Sequence, residues 1–160
     1  MTAKACFQRT ASIFVLTIAG DGDQGYMASL QRTCEDLDLE TSVTFMGYVA
    51  DPFDIYARAD AVLMCSRHEA MGRVTAEGMA AGRVVIGCNS GGTKELIQDR
   101  YDGLLYDGSI VDLVRCMRLC LTEHGLANTI ATNAHNKAKN IFTNEECSRQ
   151  VYNILSRISK

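Results

Sequence analysis

Proline and tryptophan are nearly missing from this sequence: its 160 residues include one Pro and no Trp. With Pro52 alone there is no stiff spacer, and no Gly/Ser-rich or low-complexity tract supplies a flexible one. A basic surplus is also missing. The formal net charge is −3, which gives no general pull toward nucleic acid or anionic membranes. No apolar run approaches the roughly 18 residues of a membrane span, and the opening MTAKACFQRTAS is too polar for a secretory signal. Even-numbered, tightly spaced cysteines are lacking as well. The seven present (6, 34, 65, 88, 116, 120 and 147) read as reduced thiols in a reducing cytoplasm, which is the expected location.

What is there is the composition of a globule. At 47% hydrophobic and 22% charged, the chain is not a disordered one. A chain of this length buries roughly 68–70% of its unfolded surface and is expected to form one domain, 1–160, rather than two.

Short apolar runs alternate with helical patterns. Strands are expected at Ser12–Ala19, Ser42–Gly47, Ala61–Cys65, Arg83–Gly87 and Gly103–Tyr106. Between them lie helices at Gln24–Leu39 (inner face Tyr26, Leu30, Leu37), Asp51–Ala59, Gly72–Ala81 and Thr93–Ile97. The segment holding Lys4 and Arg9 reads as a preceding helix. From Ser109 onward the pattern is helical, with breaks at Gly125 and around Phe142–Thr143. Strands apolar on both faces, alternating with helices, imply an α/β fold: a doubly wound, Rossmann-like parallel sheet with helices on both sides. In such sheets ligands bind at the carboxyl ends of the strands, near helix N-termini.

One loop there stands out. After AVLMC the chain runs Ser66-Arg67-His68-Glu69-Ala70-Met71-Gly72-Arg73, and a helix opens near Met71–Gly72. Its first turn offers unpaired backbone N–H groups, a ready anion site, and Gly72 allows close approach. Glu77, about one and a half turns in, is placed to accept hydrogen bonds from a ribose diol, and Glu69 to face a sugar. Spacing alone carries little weight: eight glutamates give about 0.4 chance pairs at this separation. On residue type alone Glu69 is equally a helix-start acid and Glu77 a solvated one.

The wider pattern adds more. CSRHEAMGRVTAEGMAAGRVVIGCNSGGTKELI resembles the donor-binding, carboxyl-terminal half of retaining glycosyltransferases of the GT-B fold, family four (group 1). The matching residues are Ser66, Glu69, Glu77, Ala80, Gly82, the strand Val84–Ile86, and Gly91-Gly92-Thr93-Lys94-Glu95. LTIAGDGD and VTFMGYVADPFDIYARAD resemble the preceding family segments, so the likeness runs from Val15 to Tyr106. It implies that Glu77 binds the ribose hydroxyls of a UDP- or GDP-sugar and Glu69 the hydroxyls of the transferred sugar. The amides of Met71, Gly72 and Arg73, with Val74 beside them, would hold sugar and distal phosphate. Gly47, Tyr48 and Val49 would hold the nucleobase, and Gly20 and Gly22 would let the backbone approach the donor. The implied reaction moves a sugar to an acceptor hydroxyl with retention, as in polysaccharide or glycolipid synthesis, with no metal or other cofactor required.

There are departures from the family pattern. Arg73 stands where the family often has an apolar residue, and is placed either to add charge for a pyrophosphate or to face solvent. Val84 replaces a proline. No Arg/Lys segment for the diphosphate precedes Ser12, and the resemblance does not cover an amino-terminal acceptor domain. The chain is therefore expected to be a fragment of a two-domain enzyme, inactive alone, with membrane association only through the parent protein. The alternatives are a GT-B-fold sugar-nucleotide epimerase fragment and a non-catalytic nucleotide-binding or interaction module. An NAD-binding reading of Gly20-x-Gly22-x-x-Gly25 is weak, because Gly47-Tyr48 stands where the ribose-binding acid belongs. Cys116, Cys120 and His124 share a predicted helix face, but residues eight apart lie about 12 Å apart along a helix, too far to share one ion.

Overall fold

A computed structural model of the chain describes residues 4–9 and 14–158. The elements run β1 (Lys4–Arg9), β2 (Phe14–Ala19), α1 (Gln24–Asp36), β3 (Val43–Gly47), α2 (Phe53–Arg58), β4 (Ala61–Met64), α3 (Arg73–Ala80) and β5 (Val84–Cys88). Then follow α4 (Thr93–Leu96), β6 (Leu104–Tyr106), α5 (Ile110–Thr122), α6 (His124–Ile141) and α7 (Asn144–Ile158). Ser12 and Ile13, expected to open the second strand, lie outside the described residues.

The strands form one sheet in the order β3-β2-β1-β4-β5-β6. β2–β3, β4–β5 and β5–β6 pair in parallel, each pair joined through a helix, as the alternation of elements implies. β1 departs from the expected all-parallel sheet. It runs antiparallel to both β2 and β4, and Lys4–Arg9 is a strand rather than a helix. Two physical reasons account for this. Six residues are too few for a helix to stand on its own propensity, whereas a strand between β2 and β4 gains backbone hydrogen bonds on both edges. And four residues separate Arg9 from Phe14, far short of the dozen or so that a parallel crossover needs.

The sheet's interior follows from sequence alternation. All residues of β4 and β5 are buried, and successive side chains take opposite faces. Leu63 and Ile86 join Leu104, Cys116, Leu119 and Ile130 on one side. Val62, Met64 and Val85 join Tyr56, Val74 and Met79 on the other. Helix α6 is tied to the connection before β6 by a buried carboxylate. Asp102, 2% exposed, accepts from Lys137 Nζ at 2.7 Å, and its other oxygen accepts from the Gln98 N–H at 2.7 Å.

Helix α1 differs from its expected facing. Tyr26 and Leu37 are each 60% exposed, while Leu30, the third residue of the expected inner face, is half-buried along with Met27, Ala28 and Cys34. The helix opens on a cap: the Asp23 carboxylate accepts from the Tyr26 N–H at 3.1 Å, fixing where the first turn begins. The break expected at Gly125 falls slightly earlier, since Glu123 both ends α5 and begins α6. The break at Phe142–Thr143 stands where expected. Among the described residues, no helix is long and apolar enough to cross a membrane.

Candidate functional site

Where β2 and β4 end and the chain leaves β3, their loops enclose a cleft of about 400 Å³ with the opening of α3. Ala19, Gly20 and Asp21 form one wall and Tyr48 and Val49 another; the loop Glu69–Met71 and the α3 residues Arg73, Val74 and Glu77 close it. The walls at β2 and β3 are linked by the Gly20 N–H, which donates to the Gly47 carbonyl at 2.7 Å. Eight of the eleven residues expected at a site therefore line this one cleft. Gly47 and Gly72 adjoin lining residues in the chain without lining it. Gly22 likewise follows the lining residue Asp21 without lining the cleft, its hydrogen side facing Met27.

Helix α3 starts at this cleft because Gly72, its N-cap, adopts a left-handed conformation with φ 68° and ψ 38°. A Cβ there would lie 2.8 Å from Leu96 Cδ1. Glycine is thus favoured by the left-handed backbone, a reason not apparent from the loop sequence, while a methyl there would only move the flexible end of Leu96. Of the three amides expected to meet sugar and phosphate, those of Met71 and Gly72 are engaged within the chain. Gly72 N–H and Met71 N–H donate to Glu69 Oε1 at 3.0 and 3.4 Å, so the Glu69 carboxylate folds back on the turn that precedes α3, near the positive end of the helix. The Gly91-Gly92 loop fixes where Glu69 sits. Gly92 N–H donates to the Glu69 carbonyl at 2.7 Å, and a Cβ on Gly92 would come within 2.5 Å of the Ala70 carbonyl oxygen. Two consecutive glycines were the sequence signal for this close approach; Lys94 and Glu95 beyond them are exposed.

Glu77 is held differently. Its Oε2 accepts from Tyr56 Oη at 2.9 Å and its Oε1 from Arg73 Nη2 at 3.4 Å. The Glu77 side chain is 19% exposed and that of Arg73 75%. Arg73 therefore stands at the solvent rim with a loose hold on Glu77, an exposed pair of small energetic weight. Tyr56 was not singled out by the sequence. Burial, reinforced by the hydrogen bond and charge of Glu77, pushes its phenol well above the usual tyrosine range, so it remains a donor.

Other candidate groups fall elsewhere. His68 is exposed beside Glu69. Cys88 is buried at the end of β5 and accepts from Ser90 Oγ at 3.4 Å. Cys116 and Cys120 are buried in α5, whereas His124 opens α6 and is exposed. Burial pushes the Cys120 thiol up to about 12. The side chains of Lys4 and Arg9 lie outside the described residues.

A Rossmann-like sheet with a cleft at its strand ends defines an α/β fold class, and the comparisons specify it further. Residues 2–123 match the family model described as glycosyl transferases group 1, and the chain belongs to that family. It is 28% identical over 131 residues to a lipopolysaccharide core biosynthesis glycosyltransferase of Rhizobium meliloti, covering 81% of this chain and 38% of that protein. It is 36% identical over 123 residues to a GDP-mannose-dependent alpha-(1-6)-phosphatidylinositol monomannoside mannosyltransferase of Mycobacterium tuberculosis, covering 71% and 31%. The crystal structure of Anabaena HepE in complex with UDP and glucose superposes with a TM-score of 0.83 at 31% identity, over 88% of this chain and 40% of that one. The chain thus spans under half the length of these relatives.

Proposed function

We propose that this chain is the donor-binding part of a glycosyltransferase, holding a nucleotide-diphosphate sugar in the cleft at the opening of α3 while a sugar passes to an acceptor hydroxyl with retained configuration. The observation that carries this is the placing of Glu77: a half-buried carboxylate on the cleft wall, braced from behind by Tyr56 and positioned at the mouth of α3 where a ribose diol would lie. Glu69 would exchange its bonds to the Met71 and Gly72 amides for hydroxyls of the transferred sugar, releasing those amides to the distal phosphate. Charge developing on the leaving diphosphate would be stabilised by helix amides and Arg73, with no metal required. Tyr48 and Val49 would lie along the nucleobase. An acceptor-binding part would complete the enzyme, since such a reaction needs donor and acceptor held together. The binding of UDP and glucose by Anabaena HepE supports a nucleotide-sugar as donor class.

Thermal melting of the chain with UDP-, GDP- and ADP-sugars tests this. A ligand present at about 100 times its Kd stabilises the folded state by about 2.7 kcal/mol, so one of the three is expected to raise the Tm by several degrees. NAD raising it instead, with no response to the sugars, would contradict the proposal.

A further inference from the structure

Tyr56 lies outside the motifs around the cleft, on α2, yet it touches the residue on which the donor site turns. It is fully buried, 0% exposed, and its ring meets Phe53 edge to face, centroids 5.9 Å apart at 84°. A buried phenol needs an acceptor, and a carboxylate taken largely out of water needs donors. The 2.9 Å bond from Tyr56 Oη to Glu77 Oε2 answers both needs.

Tyr56 and Arg73 hold Glu77 with different stiffness. Tyrosine has two side-chain torsions, here set by core packing, so its oxygen is a fixed point. Arg73 is long, 75% exposed and 3.4 Å away, so it is readily displaced by a ligand. Each carboxylate oxygen has two acceptor positions. When Arg73 swings out its hold on Oε1 is released, while the phenol stays on Oε2. A glutamate fixed at one oxygen loses less rotamer freedom when a ligand binds than one that must first be ordered.

We propose that Tyr56 is a positioning residue: by donating to Glu77 Oε2 it sets the carboxylate to accept both hydroxyls of a ribose, and so makes the cleft select ribonucleotides over 2′,3′-dideoxy analogues. This rests on the donor-site proposal above.

Calorimetry on the 160-residue chain tests it. UDP, GDP and ADP are titrated first, and the one that binds is compared with its 2′,3′-dideoxy counterpart for the unaltered chain, Tyr56→Phe and Glu77→Ala. Hydrogen bonds to a charged group lead us to expect roughly tenfold or greater preference for the ribonucleotide in the unaltered chain. Tyr56→Phe keeps the ring and its contact with Phe53. It is expected to cut that preference about threefold or more while leaving affinity for the dideoxy analogue unchanged. A preference ratio taken within one protein is insensitive to partial loss of folded chain, which separates positioning from stability. If Tyr56→Phe keeps the full preference while Glu77→Ala abolishes it, the inference falls and the donor site stands. If Glu77→Ala keeps the preference, or no nucleotide binds the unaltered chain, the donor site falls and the inference with it.

Discussion

Glu69 and Glu77 stand eight residues apart and share a cleft, but the structure binds them by different means. Glu69 is satisfied by backbone, at the amides of Met71 and Gly72, and Glu77 by side chains, Tyr56 and Arg73. The first arrangement depends on the left-handed Gly72, and this leads to a stability prediction. An L-residue in that conformation costs about 1–2 kcal/mol, and a methyl at Gly72 also displaces Leu96. Gly72→Ala is therefore expected to lower the Tm by about 3–6 °C, using the usual conversion for a chain of this size. Melting followed by circular dichroism checks it, and an unchanged Tm would mean that the turn does not need glycine. The sequence made Glu69, Glu77 and Gly72 visible because their types and spacing carry chemistry. Tyr56 was not visible, because an aromatic on a short helix reads as core and nothing local shows that its hydroxyl meets a carboxylate 21 positions on.

At the scale of elements, β2 to β6 and their helices were legible because short continuous apolar runs between glycine-marked loops report directly on a sheet covered on both faces. β1 was not. Lys, Ala, Gln and Arg favour a helix locally, and the gain from pairing with both β2 and β4 is a tertiary effect that KACFQR does not display. The facing of α1 was misread in part: Tyr26 and Leu37 have the right spacing for one face, yet both are exposed and only Leu30 of the three is half-buried. The tie between α6 and the loop before β6 was also out of reach, since Asp102 and Lys137 are 35 positions apart. Its energetic weight is testable. Lys137→Met leaves the Asp102 carboxylate buried with a backbone donor but without its cation, a loss costing about 2–3 kcal/mol after allowing for the partial exposure of the lysine. A Tm drop of about 5–10 °C is expected. A drop below about 2 °C would show that Asp102 needs no cation.

For the molecule as a whole, surface acids set the response to pH. Arg115 holds the Asp112 carboxyl below its ordinary 3.8, and Arg149 with Gln150 holds Glu146 below 4.5. A depressed carboxyl contributes stability that is present above the unfolded pKa and lost as pH falls through the folded one. Stability should therefore be insensitive to these groups near neutrality and decline below about pH 4. In Asp112→Asn combined with Glu146→Gln, urea melts at stepped pH should show a shallower acid decline; an identical decline would contradict these pairings. At the same scale, the chain belongs to the group 1 glycosyl transferases and spans under half the length of the relatives above, so its proposed contribution is donor binding rather than turnover. Calorimetric titration of the 160-residue chain with UDP, GDP and ADP, beside Glu77→Ala, measures that most directly. One nucleotide should bind saturably, with affinity weakened about tenfold or more by Glu77→Ala. Equal binding by the two proteins, or binding of NAD in place of all three nucleotides, would contradict a donor site at the opening of α3.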